Sequence, residues 1–243
     1  MRNPFAFFLL LLTVQILLGS DRLFGVEKNQ ATHLFILSGQ SNMQGHRPEE
    51  AFTPAVEREF GKQKVTVVQD ALGGQPIQRW YKGWKSPTGE KPSLSGDLYD
   101  RLMMKVKAAI DGKELISVTF IWMQGERDAK MQWAAVYEES LRGIYQQLLN
   151  DLEQEEIGFV IGRLSDFDLK NTRYPEWTAV REIQVKVAES SDRFRWVNTD
   201  DLNDGTNRKG RAISNDLHYS AAGYRILGER FAKEAIELVH RAR

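Results

Sequence analysis

The chain has 243 residues with 33 basic and 33 acidic side chains, so its formal net charge is zero. This balance lacks the basic excess that nucleic-acid-binding proteins carry, and we expect no nucleic-acid partner. The chain contains no cysteine, which excludes disulfides, thiolate metal sites and a cysteine nucleophile. Stability must therefore come from core packing.

The first 25 residues have the pattern of a secretory signal. Arg2 precedes an apolar run from Phe5 to Leu18, which is shorter than the roughly 20 residues that span a bilayer as a helix. We predict cleavage after about Ser20 or Gly25, with an uncleaved membrane anchor as the alternative. The remaining 26–243 would form a single domain, secreted or periplasmic, without stable membrane association.

The first predicted strand contains the apolar run from Leu34 to Leu37 and breaks abruptly into a polar turn at Ser38. Such a run is typical of a buried strand in a parallel sheet. Ser41 then follows the carboxyl end of this strand, where open α/β sheets bind ligands. A serine hydroxyl near the amides of the next helix suits a nucleophile. The alternative is that Ser41 is only the N-cap of that helix.

The rest of the chain alternates further strands with helices. The predicted strands are Val65–Leu72, Leu115–Met123, Ile157–Leu164 and Phe194–Val197. The predicted helices begin at Asp97, at about Gln132, near Pro175 and after Ser220, and Thr199–Ser214 is predicted as a loop. This alternation predicts a three-layer α/β/α fold around a five-stranded, mostly parallel, doubly wound sheet.

Four residues of different chemistry fall at the carboxyl edge of that sheet: Ser41, Gly74, Gln124 and His218. Acyl transfer needs such a set, namely a nucleophile, a base and oxyanion donors. The other histidines are placed less well. His33 precedes the first strand, His46 would point about 140° away from Ser41 on a shared helix, and His240 lies near the end of the chain.

Each of these residues also has an ordinary structural interpretation. His218 is either the base, with Asp216 accepting its Nδ1 proton, or a surface histidine. Gly74 offers a backbone N–H where a Cβ would block the ester, or is a turn glycine. Gln124 is an oxyanion donor or only a strand-end residue. Glu126 and Asp128 are an acid–base pair or loop anchors; we favour anchors, because a serine mechanism leaves them no proton to move.

Four sequence blocks resemble a known family. They are Gly39-Gln40-Ser41-Asn42-Met43, Gly73-Gly74-x-x-Ile77-x-x-Trp80, Trp122-x-Gln124-Gly125-Glu126-x-Asp128 and Asp216-x-His218; Arg181-Glu182-x-Gln184 adds a helix pattern. Together they resemble the SGNH-hydrolase superfamily, and within it the sialate O-acetylesterase and acetylxylan esterase branch (carbohydrate esterase family 6). The likeness runs from about Leu34 to Phe231.

The resemblance implies a flavodoxin-like fold and metal-free, cofactor-free deacetylation of an acetylated carbohydrate. Ser41 would be the nucleophile and His218 the base. The oxyanion hole would consist of the N–H groups of Ser41 and Gly74 and the side chain of Gln124. Further residues that we expect to contact substrate or support the site are Gln40, Asn42, Trp80, Met123, Glu126 and Arg127.

The chain departs from the family pattern at three positions. Met123 stands where the family often has His, Arg127 where it often has Ser, and Asn215 where the acid commonly lies. Asp216 is then the first choice for the triad acid. The alternatives are Asp201, Asp204 or a Ser–His dyad.

We expect an exported carbohydrate O-acetylesterase that forms an acyl-enzyme at Ser41. One alternative, suggested by Met123 and Asn215, is a carbohydrate-binding relative without turnover. Another is an esterase of the same fold that acts on lipid or peptidoglycan acyl esters.

Overall fold

The computed structural model describes residues 30–242, and the predicted signal segment lies outside them. A five-stranded sheet with the order β2-β1-β3-β4-β5 forms the centre of the molecule. Its strands are β1 (Gln30–Gly39), β2 (Val65–Ala71), β3 (Lys113–Met123), β4 (Gly158–Gly162) and β5 (Phe194–Val197). Every neighbouring pair is parallel. The predicted fold class is confirmed.

Burial explains why the strands have these sequences. Residues 32–39 of β1 are all buried, as is the whole of β4, because helices cover both faces of the sheet. The edge strand β2 instead alternates buried and half-buried residues. The apolar runs therefore mark the centre of the sheet and the alternating run marks its edge.

Seven helices accompany the sheet in residues 30–242. They are α1 (Ser41–Gly45), α2 (Phe52–Phe60), α3 (Asp97–Ile110), α4 (Glu126–Met131), α5 (Ala134–Asp151), α6 (Trp177–Ala188) and α7 (Ala221–Arg241). Helix α7 packs on α2 and on β3, β4 and β5, whereas α5 packs on α6. Within these residues, no helix has the length and apolar character needed to cross a membrane.

Three local features differ from the prediction. The helix predicted from about Gln132 is present as α5, but a separate short helix, α4, precedes it and was not predicted; Gln132, in a left-handed conformation with φ of 58°, lies between the two. The polar loop Thr199–Ser214 contains a two-stranded hairpin of β6 (Gly205–Thr206) and β7 (Ala212–Ile213). Helix α2 was not predicted, although it buries Phe52 and Val56.

The predicted start of the last helix is confirmed. The Ser220 side chain accepts a hydrogen bond from the Gly223 N–H at 3.0 Å, which satisfies a free amide of the first turn. This cap fixes the point at which the chain leaves the loop containing His218 and enters α7.

Candidate active site

The turn that carries Ser41 depends on a close approach between β1 and β3. Gly39 has φ of 146°, and a Cβ on it would lie 2.0 Å from the Met123 carbonyl oxygen. Only glycine fits there. The Gln40 N–H then donates to that same oxygen at 3.0 Å, and α1 begins at Ser41. The N-cap is Gln40 rather than Ser41, so the capping interpretation of the Ser41 hydroxyl is wrong.

The hydroxyl of Ser41 instead faces His218. The distance from His218 Nε2 to Ser41 Oγ is 3.1 Å, although the two residues lie 177 positions apart in the chain. This is hydrogen-bonding distance between a potential nucleophile and a potential base. The His218 side chain is 48% exposed, so the pair opens to solvent.

The other histidines lie elsewhere. The Nδ1 atom of His33 is 2.8 Å from Ser117 Oγ near the start of the sheet, and His240 pairs with Glu59 at 2.7 Å. His46 is 2% exposed, and burial lowers its pKa to about 4. His218 is the histidine that the fold brings to Ser41.

Asp216 lies beside the imidazole without a direct hydrogen bond to it. Its Oδ1 is 3.9 Å from His218 Nδ1 and accepts from the His218 backbone N–H at 2.9 Å. This local turn is typical of Asp two residues before its donor. Of the alternative triad acids, Asp201 accepts two hydrogen bonds from Arg230, and Asp204 accepts one from the Asn215 N–H.

Two consecutive glycines follow β2 near Ser41. Gly74 has φ of +71°, a conformation that favours glycine, and a Cβ on it would meet no protein atom within 4 Å. Gly73, which sequence reasoning missed, is the crowded one. A Cβ on Gly73 would lie 3.4 Å from Ser41 Cβ, and its N–H donates to Gln44 Oε1 at 3.0 Å.

The Gln124 side chain is not presented to solvent as a free donor. It is fully buried, and its Nε2 lies 2.5 Å from Asp128 Oδ2, 3.1 Å from the Gln75 carbonyl and 3.2 Å from Gln40 Oε1. The two N–H groups of the Gln124 amide thus already lie within hydrogen-bonding distance of three acceptors. Asp128 and its neighbours therefore hold the Gln124 amide, and its role as an oxyanion donor stays a prediction.

Most of the residues expected to contact substrate are interior. Their exposures are 3% for Gln40, 2% for Asn42, 0% for Trp80, 0% for Met123 and 1% for Glu126. Arg127 alone of the six is exposed.

The buried members are structural in this conformation. Trp80 donates its Nε1–H to Ser38 Oγ at 3.0 Å and so pins its loop to the core. The Met123 sulfur lies 3.9 Å from the Tyr219 hydroxyl. Of the two roles expected for these residues, their burial favours support of the site over direct contact with substrate.

Two of the buried groups are carboxyls. Burial raises the pKa of Glu126 and of Asp128 to about 7 each, because a low-polarity interior disfavours the charged form. Asp128 accepts from the Ile77 N–H at 3.0 Å, which anchors the loop after β2. Its contacts agree with the favoured interpretation of Asp128 as a loop anchor.

A cationic surface flanks His218 on the side of the β6–β7 hairpin. A cavity of about 370 Å³ there is lined by His218, Tyr219, Tyr224, Asn207, Arg208, Lys209 and Arg211. Arg208 is paired with Glu50 at 2.5 Å and 2.7 Å, whereas Arg211 is 74% exposed and lies 3.8 Å from Asp216. Sequence reasoning missed this surface; the signal was the run of basic residues shortly before His218 in a chain without net charge.

The sheet order and the Ser41–His218 pair at its carboxyl edge define an α/β/α hydrolase fold of the SGNH type. Solved structures share this fold. A protein from Arabidopsis thaliana matches with a TM-score of 0.63 and 19% identity, over 86% of this chain and 98% of that one. A carbohydrate acetylesterase from Xanthomonas citri matches with a TM-score of 0.62 and 16% identity, over 86% and 56%. The protein named NanS matches with a TM-score of 0.59 and 13% identity, over 88% and 99%.

A protein-family model described as "carbohydrate esterase, sialic acid-specific acetylesterase" matches residues 46–237. The chain belongs to this family and is an ester hydrolase. The match includes His218 and begins just after Ser41. No curated protein matches the chain.

Proposed function

We propose that this protein is an exported carbohydrate O-acetylesterase that works through an acetyl-enzyme at Ser41. The observation that carries the proposal is the 3.1 Å distance between Ser41 Oγ and His218 Nε2 at the carboxyl edge of the sheet. Membership of a carbohydrate esterase family supports the substrate class. The signal pattern in residues 1–25 supports export to the cell surface, the periplasm or the medium.

In the first half of the reaction, His218 Nε2 accepts the Ser41 proton while Ser41 Oγ attacks the carbonyl carbon of the acetyl ester. The resulting oxyanion accepts hydrogen bonds from the backbone N–H groups of Ser41 and Gly74. His218 then gives its proton to the sugar oxygen, and the carbon–oxygen bond to the sugar breaks. In the second half, His218 takes a proton from water, the hydroxide attacks the acetyl-enzyme, and His218 returns the proton to Ser41 as acetic acid leaves and ionises to acetate in solvent.

Asp216 supports this sequence as the acid of the triad. A change of its side-chain torsion brings the carboxylate from 3.9 Å to hydrogen-bonding distance of His218 Nδ1, with loss of its bond to the His218 N–H. The imidazolium formed during attack favours that exchange, because a carboxylate attracts a full positive charge more strongly than it attracts a neutral backbone N–H. Gln124 becomes a third oxyanion donor when it releases one of its buried acceptors.

The cationic surface beside His218 favours an acidic sugar as the carrier of the acetyl group. Arg211 and Lys209 project from the hairpin that lines the same cavity as His218. A carboxylate on the sugar would find an exposed guanidinium there, with bidentate geometry available. We therefore expect O-acetylated sialic acid to be a better substrate than acetylated xylan, which presents neutral xylose at the same place.

Release of acetate tests the function directly. The mature chain, 26–243, should hydrolyse an aryl acetate and should react with a fluorophosphonate probe, and Ser41→Ala should abolish both. Acetylated sialic acid, acetylated xylan and acetylated peptidoglycan, compared by kcat/KM, identify the carrier.

Each alternative has its own signature when a long-chain lipid ester is added to that set of compounds. Carbohydrate binding without acetate release from any of these compounds would show a binding protein. Preference for a long-chain lipid ester would show a lipid esterase. Labelling of Ser41→Ala as fast as the wild type would remove Ser41 from the mechanism.

A further inference from the structure

Asn42, the residue after Ser41, joins three parts of the molecule through one buried amide. Its Nδ2 donates to Glu126 Oε1 at 2.9 Å and to the carbonyl of Leu217 at 3.1 Å. Its Oδ1 accepts from the Tyr224 hydroxyl at 3.1 Å. Both N–H groups and the carbonyl of this side chain are therefore used, and it is only 2% exposed.

These contacts involve the immediate neighbours of both Ser41 and His218. Asn42 follows Ser41 in the first turn of α1, and Leu217 precedes His218. The hydrogen bond from the Asn42 side chain to the Leu217 carbonyl thus links the segment that carries Ser41 to the segment that carries His218. Glu126, at the start of α4, and Tyr224, in α7, hold the amide plane from two further elements.

From this arrangement we infer that Asn42 and Glu126 are positioning residues that set the distance between Ser41 Oγ and His218 Nε2. Glu126 holds the Asn42 amide in the one orientation that directs an N–H at Leu217. Neither side chain needs to touch substrate, and both are too deeply buried to do so. The inference rests on the proposed function for its kinetic consequences, but its geometric content is independent of turnover.

Displacing reacting groups by about 1 Å costs on the order of 10²-fold in rate. The variant Asn42→Asp keeps the size of the side chain but places an oxygen against Glu126 Oε1 and the Leu217 carbonyl. We expect it to lower kcat about 10²-fold with KM within about twofold of the wild type. Glu126→Gln keeps an acceptor for Asn42 and should stay within about threefold of the wild-type kcat.

The double variant N42D/E126Q provides the rescue. The amide introduced by E126Q presents its N–H groups to the carboxylate introduced by N42D; this restores the contact between positions 42 and 126 with donor and acceptor exchanged and leaves the Leu217 carbonyl without its donor, so the rescue is partial. We expect it to recover about tenfold of the kcat lost in N42D. Val56→Ala, a core substitution on α2 outside this network, is the matched control for lost stability. Its kcat per folded molecule should equal that of the wild type.

Crystal structures of the wild type and of N42D complete the test. We expect the 3.1 Å contact between Ser41 Oγ and His218 Nε2 to lengthen beyond about 3.5 Å in N42D. An unchanged contact, or a kcat loss no larger than that of V56A, would overturn the inference. If the wild type hydrolyses no acetyl ester, the proposed function fails, and the crystallographic distance alone decides the positioning role.

Discussion

Replacing Glu126 by Gln should change how the stability of the protein depends on pH. Burial raises the pKa of this carboxyl from 4.5 to about 7 in the folded protein. The neutral acid is therefore favoured on folding, and the ionised form is disfavoured. The stability that this group contributes is fully present below pH 4.5 and is lost as the pH rises through about 7.

The size of the effect follows from the difference between the two pKa values. A difference of about 2.5 corresponds to roughly 3 kcal/mol, because each pKa unit is worth about 1.4 kcal/mol. One oxygen, Glu126 Oε2, has no hydrogen-bond partner among residues 30–242, so nothing there offsets its charge. In Glu126→Gln the unpaired donor at that place costs about 1–3 kcal/mol, but this cost does not vary with pH.

Urea denaturation of the mature wild type and of E126Q between pH 4 and pH 8 measures the prediction. The free energy of unfolding of the wild type, taken relative to E126Q, should fall by roughly 3 kcal/mol over this range, most steeply between pH 4.5 and about 7 and little above that. Groups that do not sense Glu126 cancel in the comparison because both proteins share them, whereas Asp128, whose pKa the charge of Glu126 helps to raise, adds a smaller difference. A difference that stays constant to within about 0.5 kcal/mol would refute the assignment of a raised pKa to Glu126.

Four further substitutions test other parts of the structure. Gly39→Ala should lower the free energy of unfolding by more than about 2 kcal/mol in urea titrations, because its Cβ would lie 2.0 Å from the Met123 oxygen. Gly74→Ala, whose Cβ meets no protein atom within 4 Å, should lower it by about 1 kcal/mol. Equal losses of stability in the two variants would contradict the argument. Asp216→Asn should lower kcat for an aryl acetate at least tenfold with little change in KM, whereas a change under twofold would indicate a Ser–His dyad. Arg211→Ala should lower kcat/KM for acetylated sialic acid about tenfold and leave acetylated xylan within twofold, and equal losses on both would exclude a carboxylate contact.

Much of the fold was predictable because each strand of a covered parallel sheet is a local apolar run. The segment Phe194–Val197 was predicted with the bounds that the structure has, and Ser220 was identified as the cap of α7. The placement of Ser41 and His218 at one edge also followed, since parallel strands all end on the same side. Helix α2 escaped prediction because it is short and only Phe52 and Val56 of it are fully buried.

The alternation of strands and helices thus determined the architecture, and the order of the polar residues along it determined which of them reach the same edge. The tertiary structure alone decided which of those residues are free to act. Gln124 is held by Asp128 within its own turn, yet Asn42 is held by Glu126, 84 positions away, and by Leu217, 175 positions away. Periodicity reports the burial of a whole face, whereas the partner of one amide depends on where distant segments bring their donors and acceptors, and no local pattern records that.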